Sequence, residues 1–231
     1  MDLTRHEKEM LDGKYGKGTA MAMKIQVAIG ETFDAEKMVD ITRAHVALSA
    51  QDADLWFVEK LLTQGAFCKV SPTVNPSIDL DYLNGHLCEI PKAGVDIVTA
   101  TNEAYKKIGA TLTFNCTPYL SQNVPVFGEI IAFSESSATP YVNSVIGARS
   151  NRESSQSALC AAVTGKVPLY GLLLEKNRKA EIHVKVEADI QSDFDYQLLG
   201  WCYPEKYKGL EVPVFSGIKK RPTPESYMNF G

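Results

Sequence analysis

Short apolar runs rich in β-branched residues alternate along this chain with helical segments that stop at glycine. "LTRHEKEMLDG" opens on a capping box, Thr4 with Glu7, and closes at Gly13, which predicts a short helix. "GTAMAMKIQVAIGETF" predicts a second helix, with Met23, Val27 and Gly30 at helical spacing. "KMVDITRAHVAL" predicts one strand running into a loop near His45, and "DADLWFVEKLLTQG" a helix from Asp52 or Asp54 to Gly65. "AFCKVSP" reads as a short strand, and "NEAYKKIGA" as a helix before the strand "TLTF". "GEIIAFS" is a further strand. "SATPYVNSVIG" reads as a helix with Pro140 in its first turn, and "SQSALCAAVTG" as another. "KAEIHVKVE" alternates Ile182, Val184 and Val186 against a charged face, a half-buried strand. Such alternation predicts an α/β fold with a largely parallel sheet, whose ligands gather at the carboxyl ends of the strands.

The 231 residues, 45% of them hydrophobic, suffice for one large domain or two small ones; a sub-boundary would fall near 90–110. A net charge of −4 gives no general attraction to nucleic acid or acidic lipid. "MDLTRHEKEM" lacks the apolar core of a signal peptide, and no run is long enough to span a bilayer. The expectation is a cytoplasmic protein without a nucleic-acid or membrane partner. The cysteines, Cys68, Cys88, Cys116, Cys160 and Cys202, are widely spaced and form no CxxC, so neither a zinc ribbon nor a thioredoxin-like site is expected. "GKYGKGTAM" is neither GxGxxG nor a Walker A sequence and reads as a turn between helices. "RPTPESYMNFG" begins a helix with Thr223 as N-cap, so either a continuation or a frayed tail is expected there.

Two polar clusters fall just past predicted strands. Cys116 follows "TLTF", and Ser134-Glu135-Ser136-Ser137 follows "EIIAF". Arginine matches a carboxylate with a planar two-pronged fork, and Arg149 and Arg152 in "GARSNRE" would share one face if that segment were helical. Each has a plainer reading. The arginines could pair with Glu153 or Glu135, and the serines could cap the helix that follows. Glu135 could be a surface acid. His45 could be a general acid, a substrate contact or a satisfied half-buried histidine. Thr73 and Asn75 in "SPTVNP" could simply build a turn.

"NCTPYL", "GEIIAFSESSATPYVNSVIGARSNRE" and "TGKVPLYGLL" resemble signatures of the aconitase X large subunit. The opening residues, "VDITRAH" and "SPTVNP" fit the same family. The resemblance implies an aconitase-like three-layer α/β/α fold, here incomplete at its carboxyl end. It implies a dehydratase of small hydroxy acids, with cis-3-hydroxy-L-proline as first expectation and mevalonate 5-phosphate as the alternative. A chain that keeps the anion pocket as a non-catalytic binding or interaction protein is a further alternative, and a hydrolase with Cys116 as nucleophile a distant one. The cofactor implied is an iron–sulfur cluster or iron held by three cysteines, of which only Cys116 falls within this chain. His45 and Ser136 are then expected to be catalytic. Thr73, Asn75, Thr117, Glu135, Ser137, Arg149, Asn151 and Arg152 are expected to bind substrate. A small swivelling subunit supplying a serine base is implied as partner, together with a carboxyl-terminal half or self-association.

Overall fold

The computed structural model describes residues 1–48, 52–75, 80, 91–207 and 211–231. The opening helix α1 spans Arg5–Leu11, and its capping box forms: Glu7 N donates to Thr4 Oγ1 at 3.3 Å and Thr4 N to Glu7 Oε2 at 2.8 Å. Helix α2, Lys17–Thr32, buries Gly18, Ala20, Ala22, Met23, Gln26 and Gly30, four of them glycine or alanine. Small residues let it lie close against its neighbours. A Cβ at Gly18 would stand 2.7 Å from both Ala66 Cβ and the Leu61 carbonyl oxygen. Gly18→Ala should therefore destabilise the chain by about 1–3 kcal/mol in a denaturant titration, overriding alanine's better helix propensity. An unchanged or raised midpoint would show that this contact can give.

The segment 37–48, expected as one strand, is two. Strand β1, Met38–Asp40, and β2, Arg43–Ala47, belong to different sheets. The break lies at Ile41 and Thr42, whose amides donate to the carbonyls of Gly165 and Ile130, both at 3.0 Å. Helix α3, Asp52–Thr63, follows as expected. The strand expected at 66–72 does not form. Cys68 N donates to Ile108 O at 2.8 Å and Val70 N to Ala162 O at 3.0 Å, so these amides serve helix-end carbonyls and cannot join a ladder. Strand β3 starts just beyond, at Thr73–Asn75.

Helix α4, Lys92–Ile108, stops at Gly109 in a left-handed conformation (φ 99°), and β4, Thr111–Leu112, follows. Strand β5 is Ile131–Phe133. Helix α5, Ala138–Tyr141, runs into a single π-helical turn, Val142–Ile146, instead of continuing as the regular helix expected there. Helix α6, Ser155–Thr164, is capped by Ser154, and every residue from Ser157 to Thr164 is buried. Strand β6, Lys166–Pro168, returns antiparallel to β1. The rest of the chain builds β7, Ile182–Lys185, α7, Asp193–Lys206, β8, Pro213–Ser216, and α8, Pro224–Phe230, around Val186, Ile190 and Tyr196.

The central sheet has the order β4-β3-β2-β5 and is parallel throughout, so the fold is α/β. Its inner residues Val46, Val74 and Ala132 pack with α3, α4 and α6 in the main core. Among the described residues no helix is long and apolar enough to cross a membrane.

Candidate active site

The parallel register places His45 beside both Thr73 and Phe133, and Ala47 beside Asn75. The carboxyl ends of three strands therefore meet over a few ångströms. Ser134 extends the pairing: its Oγ donates to His45 O at 3.0 Å and accepts from Ala47 N at 2.6 Å. That anchors the serine-rich loop over β2 and turns Glu135 inward. Glu135 Oε1 accepts from Asn75 Nδ2 at 2.7 Å and lies 3.6 Å from His45 Nε2. The same Asn75 nitrogen donates to Cys116 Sγ at 3.0 Å. Asn75 thus joins a carboxylate to a sulfur.

Cys116 sits in a loop shaped by Phe114 at positive φ and by an Asx turn, in which Asn115 Oδ1 accepts from Thr117 N at 2.9 Å and Thr117 Oγ1 at 3.1 Å. The Thr117 hydroxyl, expected to bind substrate, donates its hydrogen to that turn. Tyr119 hydroxyl donates to Ser137 Oγ at 2.9 Å and ties this loop to the serine loop; burial pushes its phenol upward. The Cys116 thiol is exposed. Cys68 and Cys160 are core residues whose thiols burial pushes up to about 12, and Cys202 is exposed on α7. Cys88 lies outside the described residues. Among the described residues no group of three His, Cys, Asp or Glu could hold a metal ion. Cys116 on its own offers a metal no more than one sulfur donor.

A cavity of about 870 Å³ opens beside the serine loop, lined by Ser136, Ser137, Asn143, Arg152 and Arg178 among others. The segment 147–154 is not helical, so Arg149 and Arg152 do not share a face. Arg149 turns away: Nη1 donates to Leu173 O at 3.0 Å and Nη2 to Glu175 Oε2 at 2.6 Å. Asn151 is buried and clamps the 170–172 turn, donating to Tyr170 O at 3.1 Å and accepting from Leu172 N at 2.8 Å. Arg152 is exposed at the cavity and makes no ion pair among the described residues. Glu153 is buried, and its carboxyl is pushed up by that burial although Ser157 donates to it.

Sequence reasoning missed two residues. Asn123 Nδ2 donates to Ala44 O at 2.9 Å and to Thr73 Oγ1 at 3.0 Å. Arg178 donates to the carbonyls of Leu172, Asn143 and Ala148 at 3.2 Å each. Neither stands in a motif. Their roles arise only when loops distant in sequence close on one another.

Polar side chains gathered past the ends of a parallel sheet, beside a cavity whose charged lining residues are Arg152 and Arg178, give an α/β protein with a candidate ligand site. The family model described as "Aconitase X first domain" matches residues 1–176, and the chain belongs to the aconitase X family. It is 38% identical over 227 residues to the phosphomevalonate dehydratase large subunit of Thermococcus kodakarensis, covering 96% of this chain and 56% of that protein. With the large subunit of that name from Methanothermobacter thermautotrophicus the identity is 42%, covering 93% and 54%. The cis-3-hydroxy-L-proline dehydratase of Pseudomonas aeruginosa is 32% identical, covering 99% and 40%. The crystal structure of Thermococcus kodakaraensis aconitase X in its holo-form superposes with a TM-score of 0.87 at 36% identity, covering 99% of this chain and 58% of that one. The chain spans about half the length of the phosphomevalonate dehydratase large subunits it matches.

Proposed function

We propose that this chain forms the amino-terminal part of an aconitase X hydro-lyase that removes water from a small β-hydroxy carboxylic acid. The observation that carries this reading is the contact chain from Cys116 through Asn75 to Glu135, with His45 Nε2 3.6 Å further on. Dehydration breaks a carbon–hydrogen bond next to the carboxylate and a carbon–oxygen bond one position on, forms the alkene and releases water. Cys116 would supply one of the thiolates of an iron centre, whose chemistry when bound is to weaken the carbon–oxygen bond as a Lewis acid. Glu135 faces that hydroxyl and delivers the proton with which it leaves as water, while His45 faces the same oxygen. The proton on carbon goes to a base from a small subunit, in keeping with relatives named large subunits. Exposed apolar side chains at Leu120, Val124, Val126 and Phe127, next to the Cys116 loop, suit a covering partner.

Arg152 is the residue of "GARSNRE" that binds the substrate carboxylate; Arg149 and Asn151 hold the turns around it. Ser136 is exposed and makes no hydrogen bond to a basic group among the described residues, so its hydroxyl contacts substrate and is not activated as a base. The identities of 42% and 38% against 32% favour mevalonate 5-phosphate over cis-3-hydroxy-L-proline. The test is to assay the assembly, completed by its carboxyl-terminal part and small subunit, with both compounds. Arg152→Lys should raise KM about 10- to 100-fold, the worth of one charge-assisted bond, while Arg149→Lys leaves KM unchanged. Normal turnover and KM in both variants would remove the carboxylate from this motif.

A further inference from the structure

The hydrogen bonds beneath the site leave one arrangement of protons on His45. Asn123 is buried in the loop that carries Cys116, its backbone N donating to Pro118 O at 2.8 Å. Its amide orientation is fixed by the Ala44 carbonyl at 2.9 Å, which can only accept. The same Nδ2 stands 3.0 Å from Thr73 Oγ1, so the threonine oxygen accepts there. A hydroxyl has a single hydrogen. Among the described residues, the remaining hydrogen-bond neighbour of the Thr73 hydroxyl is His45 Nδ1 at 2.8 Å. Were Nδ1 the donor, the threonine hydrogen would be buried without an acceptor, which buried hydroxyls avoid. Nδ1 therefore accepts, and the ring's proton belongs on Nε2. That nitrogen is fully buried and has no hydrogen-bond partner among the described residues. It points to Glu135 Oε1 across 3.6 Å, a gap too long for a hydrogen bond.

We propose that Asn123 and Thr73 are positioning residues that lock His45 as the neutral Nε2–H tautomer, presenting a ring N–H donor to a substrate oxygen beside Glu135. The tautomer stands on the hydrogen bonds alone; only its use on a substrate oxygen rests on the dehydratase reading. A donor fixed in advance needs no reorganisation when the substrate hydroxyl or carboxylate arrives. It also links the Cys116 loop to His45, because the loop's own Asn123 sets which ring nitrogen carries the proton.

The measurement is a long-range proton–nitrogen correlation spectrum of the chain labelled at histidine nitrogen, taken well above the ordinary histidine pKa of about 6.5. The chain has four histidines, and loss of one signal set in His45→Gln assigns the ring. Wild-type His45 should show an unprotonated Nδ1 and a protonated Nε2; the reverse pattern, or protons on both, overturns the proposal. Asn123→Asp reverses the polarity, because a carboxyl oxygen accepts from Thr73 and forces the threonine to accept from Nδ1–H. The two nitrogen resonances should then exchange places, and an unchanged tautomer in folded Asn123→Asp removes Asn123 from the relay. Thr73→Val should give shifts averaged between tautomers, while Thr73→Ser, which keeps the hydroxyl, restores the wild-type pattern. A general packing role would produce neither the exchange nor the rescue. If the variants fail to fold, the wild-type spectrum decides by itself, and it does so whether or not the completed assembly dehydrates anything.

Discussion

Cys116→Ser should remove both iron and turnover from the completed assembly while leaving the fold of this chain intact. The thiol is exposed, and its hydrogen bond is the one it accepts from Asn75 Nδ2 at 3.0 Å. Its loss leaves no core cavity, so thermal stability should change by no more than about 0.5 kcal/mol. The effect on activity is of another order. Removing an outer partner of a metal ligand costs about 10–100-fold; removing the ligand should exceed that. The isolated chain should hold no stable cluster, since among its described residues one exposed thiol stands at the site and no three-ligand group exists. Anaerobic reconstitution with and without the carboxyl-terminal part, followed by iron and sulfide analysis, measures this. Cys160→Ser is the useful contrast: its sulfur is fully buried in α6, so that variant should lose stability and not iron specificity. Stoichiometric iron in the isolated chain, indifferent to Cys116→Ser, would defeat the assignment.

The site was legible in the sequence where it depends on strand ends. His45, Cys116 and Glu135 each fall at or just past the end of a predicted strand, and a parallel sheet brings such residues together whatever their separation along the chain. Asn75 reads in the sequence as part of a turn, and the strand Thr73–Asn75 that carries it was not foreseen. Helices were legible because their punctuation is local: the Thr4 capping box and the left-handed Gly109 and Gly165 lie within the segments they define. The strand expected at 66–72 failed because its amides were claimed by helix ends more than thirty residues away. "GARSNRE" is not the helix that would have set its two arginines on one face, for a related reason. Residue type nominated both arginines, but Arg149 is held by Leu173 and Glu175, whose positions depend on the turn at Gly171. Asn123 carried no signal, since a lone asparagine in a loop looks the same whether it faces water or Thr73.

Glu135→Gln should lower turnover of the completed assembly by about 10²–10⁴-fold, the usual worth of a group that moves a proton in the transition state. The substitution preserves shape. Glutamine keeps an oxygen to accept from Asn75 Nδ2, now at 2.7 Å from the carboxylate, so the loop and the cavity should stay in place. What it loses is the capacity to carry a proton, and it puts an amide donor where an acceptor stood. With His45 held as a fixed Nε2–H donor, the hydroxyl oxygen would then keep two hydrogen-bond donors but no group that delivers the proton with which it leaves as water. The proposed carboxylate contact at Arg152 would be untouched, so KM should move far less than kcat. That split is the informative part. A loss confined to KM would make Glu135 a binding group, and normal kinetics would reduce it to an anchor for Asn75. Glu135→Asp separates the cases further. It keeps the charge but draws the carboxylate back by one methylene, away from both Asn75 and His45, so a proton-handling role predicts a severe loss of kcat there too.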